Sequence, residues 1–168
     1  MGMGVLSTLP YREQINFMKP VLNNSLLVVE DSDEDFEAFK RIVRKSSVYP
    51  SIYRCVDGED ALNYLLQVGD YANQTSASRP AMILLDLNLP GMDGRDVLMQ
   101  IKQDATLKMI PVIIFTTSSN PKDIDVCYEH GVNGYIVKPI DLSKLKETIE
   151  VFIQYWFEIT TLPSFMGR

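Results

Sequence analysis

The stretch Ala81-Met82-Ile83-Leu84-Leu85-Asp86-Leu87-Asn88-Leu89-Pro90-Gly91-Met92-Asp93-Gly94 decides the fold. Its opening apolar run is too short for a helix and lacks polar alternation, so it reads as a strand buried on both faces. An acid, Asp86, follows at once. Pro90-Gly91 and Asp93-Gly94 then mark a turn, after which Val97, Leu98 and Ile101 take up helical spacing. A fully buried strand followed by an amphipathic helix is half of a parallel β–α–β unit.

Working outward, the same unit recurs. Ser25 to Val29 is a second apolar run, and behind Ser32, an N-cap followed by acidic residues, Phe36, Phe39, Ile42 and Val43 keep helical spacing. Ile52 to Val56 ends in the turn Asp57-Gly58 and leads to Ala61, Leu62, Leu65 and Leu66; Gly69 to Pro80 reads as a surface loop. Pro111 to Phe115 is the fourth strand and Pro121 to about His130 the fourth helix, broken by Gly131. Gly134 to Val137 is the fifth strand. A long helix opening at Asp141 or Leu142 carries Leu145, Ile149, Phe152, Ile153 and Trp156 on one stripe. Strict alternation implies an α/β fold with a parallel sheet and helices on both faces, because such crossovers are right-handed. The folded unit is expected over 25–157, with 1–24 an N-terminal extension and 158–168 a C-terminal tail.

Composition narrows the class of function. A chain of 168 residues with 46% hydrophobic side chains has the size and apolar content of one globular domain. Sixteen basic against twenty-two acidic residues give a net charge of −6, which argues against a nucleic-acid surface. Apolar runs such as Ala81 to Leu85 fall far short of a membrane span, and Met1 to Pro20 lacks a basic segment followed by an apolar core. Cytoplasm is the simplest location. Cys55 and Cys127 lack Cys-x-x-Cys spacing and read as small core residues.

In a parallel sheet of this kind ligands bind beyond the carboxyl ends of the strands. Glu30 and Asp31 follow the first strand, Asp86 the third, Thr116 the fourth and Lys138 the fifth. Three carboxylates meeting at one edge repel unless they share a proton or a cation. An all-oxygen set in an open site suits Mg²⁺, and no His or Cys stands there to suggest zinc. A carboxylate is also a nucleophile toward phosphorus. That transfer needs a metal, a cation and a hydrogen-bond donor around the phosphoryl oxygens, for which Lys138 and Thr116 are the candidates. Asp86 is the best nucleophile because its strand is central.

Taken together, Val28-Val29-Glu30-Asp31-Ser32, Leu84 to Gly94, Phe115-Thr116-Thr117 and Val137-Lys138-Pro139 resemble the receiver domains of two-component response regulators over Ser25 to Phe157. The resemblance implies a flavodoxin-like (βα)5 fold of strand order 2-1-3-4-5. It implies Asp86 as phosphoacceptor, and a Mg²⁺ site of Asp31, Asp86, the Asn88 backbone carbonyl and, largely through water, Glu30. Thr116 and Lys138 would contact the phosphoryl group, Lys138-Pro139 would be cis, and Tyr135 would be the switch aromatic paired with Thr116. Asn88 and Ser118 would flank the site where loss of the phosphoryl group is tuned.

A narrower resemblance adds a partner. Thr116 to Asn120, Gly131 to Tyr135 and Phe152 to Phe157 followed by Leu162-Pro163 are similar to the stand-alone response regulators of cyanobacterial phytochromes. The implied function is acceptance of a phosphoryl group from a sensor histidine kinase, signalled onward through protein contacts rather than by an enzyme activity. The same likeness implies a homodimer through the face of the fourth helix, fifth strand and fifth helix, with Tyr128, Tyr135, Phe152, Tyr155 and Trp156 as candidate interface residues. His130 reads as structural or interfacial, not catalytic. The alternative is a dimeric scaffold of receiver fold that works without phosphorylation. An aspartyl-phosphate hydrolase of the haloacid dehalogenase type would need an acid where Asn88 stands, and no Gly-x-x-x-x-Gly-Lys-Ser/Thr loop follows any strand.

Overall fold

The computed structural model describes residues 24–73 and 79–163. The expected extension, apart from Asn24, lies outside the described residues, as does part of the Gly69–Pro80 loop. The elements run β1 (Ser25–Val29), α1 (Asp33–Val43), β2 (Ser51–Cys55), α2 (Gly58–Leu66), a 3₁₀ turn (Gly69–Tyr71), β3 (Met82–Leu85), α3 (Gly94–Gln103), β4 (Val112–Thr116), α4 (Pro121–Glu129), β5 (Gly134–Val137) and α5 (Leu142–Gln154). A widened π turn, Tyr155–Ile159, continues α5 beyond the expected domain boundary at residue 157. All strand pairs are parallel and the order is β2-β1-β3-β4-β5, as expected.

Side-chain alternation along the buried strands sorts the core into two layers. Leu26, Val28, Met82, Leu84, Ile113 and Phe115 face α1 and α5, meeting Phe36, Phe39, Ile149, Phe152 and Ile153. Leu27, Val29, Ile83, Leu85, Val112 and Ile114 face the other way and meet α2 and α3 through Leu62, Leu65, Val97, Leu98 and Ile101. A strand buried on both faces needs apolar residues at every position, which is why β1, β3 and β4 do not alternate. The edge strand β2 does, with Ser51 and Tyr53 exposed.

Each α-helix opens on a side-chain acceptor. Ser32, Asp57, Asp93, Asn120 and Asp141 accept from Asp35, Asp60, Arg95, Lys122 and Lys144 backbone N–H groups respectively. Short caps hold the helix N-termini close to the strand ends, so the polar residues expected there stay at one edge. No helix among the described residues is long and apolar enough to cross a membrane.

The structure corrects three expectations. Phe152 is only 5% exposed and packs under α5, so it is a core residue and not an interface aromatic. It lies one helical turn from Ile149 and next to Ile153, on the inward stripe. The Lys138–Pro139 bond is trans, like every other peptide bond among the described residues. The trans form is also the intrinsically favoured isomer before proline. Thr116 is the last residue of β4 rather than the first beyond it, since its carbonyl still accepts the Lys138 N–H at 2.7 Å.

Candidate functional site

Sheet pairing runs one residue past β1 and β3 and so fixes two acids. Glu30 N–H donates to the Cys55 carbonyl at 3.0 Å, and Asp86 N–H to the Val29 carbonyl at 3.1 Å. Beside them the buried Lys138 ammonium donates to Glu30 Oε2 at 2.6 Å, Asp86 Oδ2 at 2.8 Å and Asp35 Oδ2 at 2.9 Å. Glu30 and Asp86 side chains are each 7% exposed, against 47% for Asp35. Groups 108 and 52 positions from Lys138 in the chain thus share one cation.

Charge balance explains the protonation tendencies. Burial pushes the Glu30 carboxyl above the ordinary glutamate range, and the Asp86 charge adds to this, although Lys138 pulls the other way. Burial alone would lower the Lys138 ammonium. Its bonds to Asp86, Glu30 and Asp35 outweigh that and hold it firmly protonated. Three carboxylates to one ammonium leave a surplus of negative charge, so the pocket favours a second cation.

The remaining oxygens are partly committed. Asp86 Oδ1 accepts the Asn88 N–H at 3.1 Å, and Glu30 Oε1 the Ser32 N–H at 3.1 Å. The exposed Asp31 carboxylate makes no hydrogen bond or ion pair among the described residues. Among those residues no three acidic, histidine or cysteine side chains are already grouped around one metal position. Glu30 and Asp86 converge on Lys138 instead. The donor set of Asp31, Asp86 and the Asn88 carbonyl is nonetheless all oxygen and adjacent to surplus negative charge, which fits a hard divalent ion.

Thr116 is fully buried. Its Oγ1 accepts from Asn88 Nδ2 and Ser118 N–H, both at 3.4 Å, so its own proton remains available to a phosphoryl oxygen. The half-buried Tyr135 donates its hydroxyl to the Ser118 carbonyl at 3.0 Å, and burial pushes its pKa up. Tyr128 and Tyr155 lie at the surface, while Trp156 is half-buried against the core, its ring edge-on to Tyr155 at 5.3 Å.

Two residues that the sequence pattern did not single out belong to the site. Asp35, in the first turn of α1, reaches the pocket from the helix start and accepts the Lys138 ammonium on its Oδ2 at 2.9 Å. Arg54 of β2 donates Nε to the Glu30 carbonyl at 3.0 Å and Nη2 to the Asp31 carbonyl at 3.1 Å, with Nη1 on Asp33 at 2.6 Å. Its guanidinium lies over Phe36, 4.6 Å from the ring centre. Arg54 therefore fixes the backbone that carries both acids, and an arginine inside a strand sequence was the available signal.

The model of the response regulator receiver domain matches residues 26–150. Response regulator Rcp1 of Synechocystis is 40% identical over 139 residues, which is 83% of this chain and 92% of that protein. The crystal structure of the phosphorylated cyanobacterial phytochrome response regulator RcpA aligns with a TM-score of 0.79 at 43% identity, covering 84% of this chain and 99% of the other. The Mn²⁺-bound form of Rcp1 aligns with the same TM-score at 40% identity, over 84% and 99% of the two chains.

Proposed function

The chain belongs to the response regulator receiver domain family, and from that premise we propose that Asp86 accepts a phosphoryl group from a phosphohistidine on a sensor histidine kinase. Receiver domains take up a divalent metal ion and receive their signal from such kinases. The observation that carries the assignment to Asp86 is the shared ammonium: Lys138 Nζ lies 2.8 Å from Asp86 Oδ2 at the end of the central strand.

In the transfer a carboxylate oxygen of Asp86 bonds to phosphorus as the phosphorus–nitrogen bond to histidine breaks, and the imidazole leaves. Lys138 moves from carboxylate to phosphoryl oxygen without leaving its pocket and offsets part of the gathering charge. Thr116 donates its free hydroxyl proton to another phosphoryl oxygen. Glu30 and Asp35 keep Lys138 charged and in place. Asp31, Asp86 and the Asn88 carbonyl would hold Mg²⁺, with Glu30 acting largely through water. The ion supplies charge neutralisation at the phosphoryl oxygens.

The kinase is a phytochrome in this reading, supported by the likeness to a phytochrome response regulator. Action in the cytoplasm and through protein contacts, with no enzyme activity of its own, completes it. The exposed Tyr128 and Tyr155, together with the half-buried Tyr135 and Trp156, support a homodimer through the α4-β5-α5 face. The test is intact-protein mass after incubation with acetyl phosphate, with and without Mg²⁺, beside Asp86→Asn. One Mg²⁺-dependent phosphoryl adduct, absent in the variant, is expected. A folded protein that gains no adduct overturns the assignment and favours a phosphorylation-independent scaffold.

A further inference from the structure

A second polar cluster stands at the same edge, and the phosphoryl chemistry does not use its centre, Arg95. This residue lies in the first turn of α3, just past the turn that follows Asp86. Its Nε meets Asp93 Oδ1 at 2.8 Å and its Nη2 meets Asp93 Oδ2 at 2.6 Å. Nη1 reaches Asp123 Oδ1 in the first turn of α4. The other Asp123 oxygen accepts the Ser118 hydroxyl at 2.6 Å, and the Ser118 carbonyl accepts the Tyr135 hydroxyl at 3.0 Å. Arg95, Asp123, Ser118 and Tyr135 thus form one unbroken row. It enters the Asp86 pocket where Ser118 N–H meets Thr116 Oγ1.

The two helices joined by Arg95 and Asp123 are anchored unequally. The start of α3 is pinned to the strand end by the Gly94 N–H on the Leu87 carbonyl at 3.0 Å, and α3 buries Val97, Leu98 and Ile101. By contrast, α4 buries only Cys127. An element with so little apolar burial sits low on the scale of local stability, so polar ties decide where its first turn lies. A planar guanidinium spans two carboxylates in fixed geometry, which an ammonium does not.

We infer that Arg95 is a positioning residue that clamps the β4–α4 loop, through Asp123 and Ser118, in the arrangement that holds the Tyr135 hydroxyl. The clamp is a property of the resting protein. That it opposes movement of the loop when a phosphoryl group arrives rests on the function proposed above. When Thr116 turns its hydroxyl to that group, Ser118 N–H loses its acceptor, and the Asp123–Arg95 tie is what still restrains the loop.

The experiment uses the full chain carrying 3-fluorotyrosine, with the Tyr135 resonance assigned in ¹⁹F NMR spectra by Tyr135→Phe. Before any phosphodonor is added, Arg95→Gln shifts and broadens that resonance. Asp123→Asn moves it in the same direction, and Arg95→Lys, which keeps the charge without the fork, moves it less. After acetyl phosphate and Mg²⁺ are added, Arg95→Gln still gains its adduct on Asp86, up to about fivefold faster than the parent, as expected for losing the half-exposed pair with Asp123 that ties the loop. A Tyr135 resonance unmoved in all three variants, with circular dichroism showing each folded, overturns the clamp. Should Arg95→Gln fail to fold, Asp123→Asn decides alone, because its amide oxygen still accepts the Ser118 hydroxyl. A parent protein that gains no adduct overturns the phosphoryl-transfer reading, and the resting spectra still decide the clamp.

Discussion

Lys138 and Arg95 stand at the same edge of the sheet, and each is shared by carboxylates from more than one loop. They differ in burial and in how their partners are held. The Lys138 side chain is 8% exposed and the Arg95 side chain 33%. Lys138 is a compact charge among a surplus of acids, two of them buried, and its bonds can be exchanged one for another as a new anion arrives. Arg95 is a fork whose partners have further bonds of their own: Asp93 caps α3, and Asp123 holds the Ser118 hydroxyl. A buried point charge among surplus acids makes a reactive pocket, whereas a fork between well-bonded acids fixes a distance. Two salt-bridge clusters of similar composition therefore do different work.

The sharpest break between them is expected on removing the cations. Lys138→Met strands Glu30 and Asp86 in a buried site, and breaking a buried pair in this way costs about 3–5 kcal/mol. Urea unfolding measures the loss, and added Mg²⁺ returns part of it. A variant as stable as its parent would mean that the ammonium does not hold the cluster together. Gly94→Ala tests the wall between the two clusters. A Cβ there would lie 2.2 Å from the Asp86 carbonyl oxygen and 2.6 Å from Leu87 Cα, so backbone must move. A loss of about 3 kcal/mol is expected, together with slower adduct formation, since the carbonyl displaced is that of the phosphoacceptor.

Arg95→Gln should cost less, about 0.5–1 kcal/mol, because its ion pairs are screened by solvent. A loss as large as that of Lys138→Met would erase the distinction between the two cations. The smallest effect concerns pH. Burial raises the Asp93 carboxyl, but the Arg95 fork outweighs this and holds it below its ordinary 3.8. A lowered carboxyl contributes stability that is present above 3.8 and is lost as pH falls through the lowered value. Asp93→Asn keeps the helix cap. It should therefore fall below its parent in stability at neutral pH and rejoin it in acid. A difference that persists unchanged at low pH would place the cause elsewhere.

Much of the edge was legible in the sequence because a parallel sheet delivers each strand's next residue to one side. Glu30, Asp86 and Lys138 needed only strand ends to be located, and a shift of one residue at β4 did not move Thr116 out of the site. Asp35 and Arg95 were not legible in the same way. Each reaches its partner from the first turn of a helix, so its position depends on how that helix is phased and on which loop lies opposite. The aromatic ending is hard to read for a related reason. Phe152 and Phe157 fall on the same inward stripe as Ile149 and Ile153 and are buried, and only Tyr155 among those aromatics turns to solvent.

The two cysteines fill the core, and their burial has a practical consequence. Cys55 ends β2 and Cys127 lies in α4, both buried in the same layer but at opposite ends of the sheet. Burial pushes the Cys127 thiol up to about 11 and raises Cys55 further, so neither reacts until its surroundings open. Thiol-labelling rates at the two positions would then time the breathing of α4 and of the β2 edge separately, within one molecule and without an engineered cysteine. The region held by the guanidinium and the region held by strand pairing each carry a clock of their own.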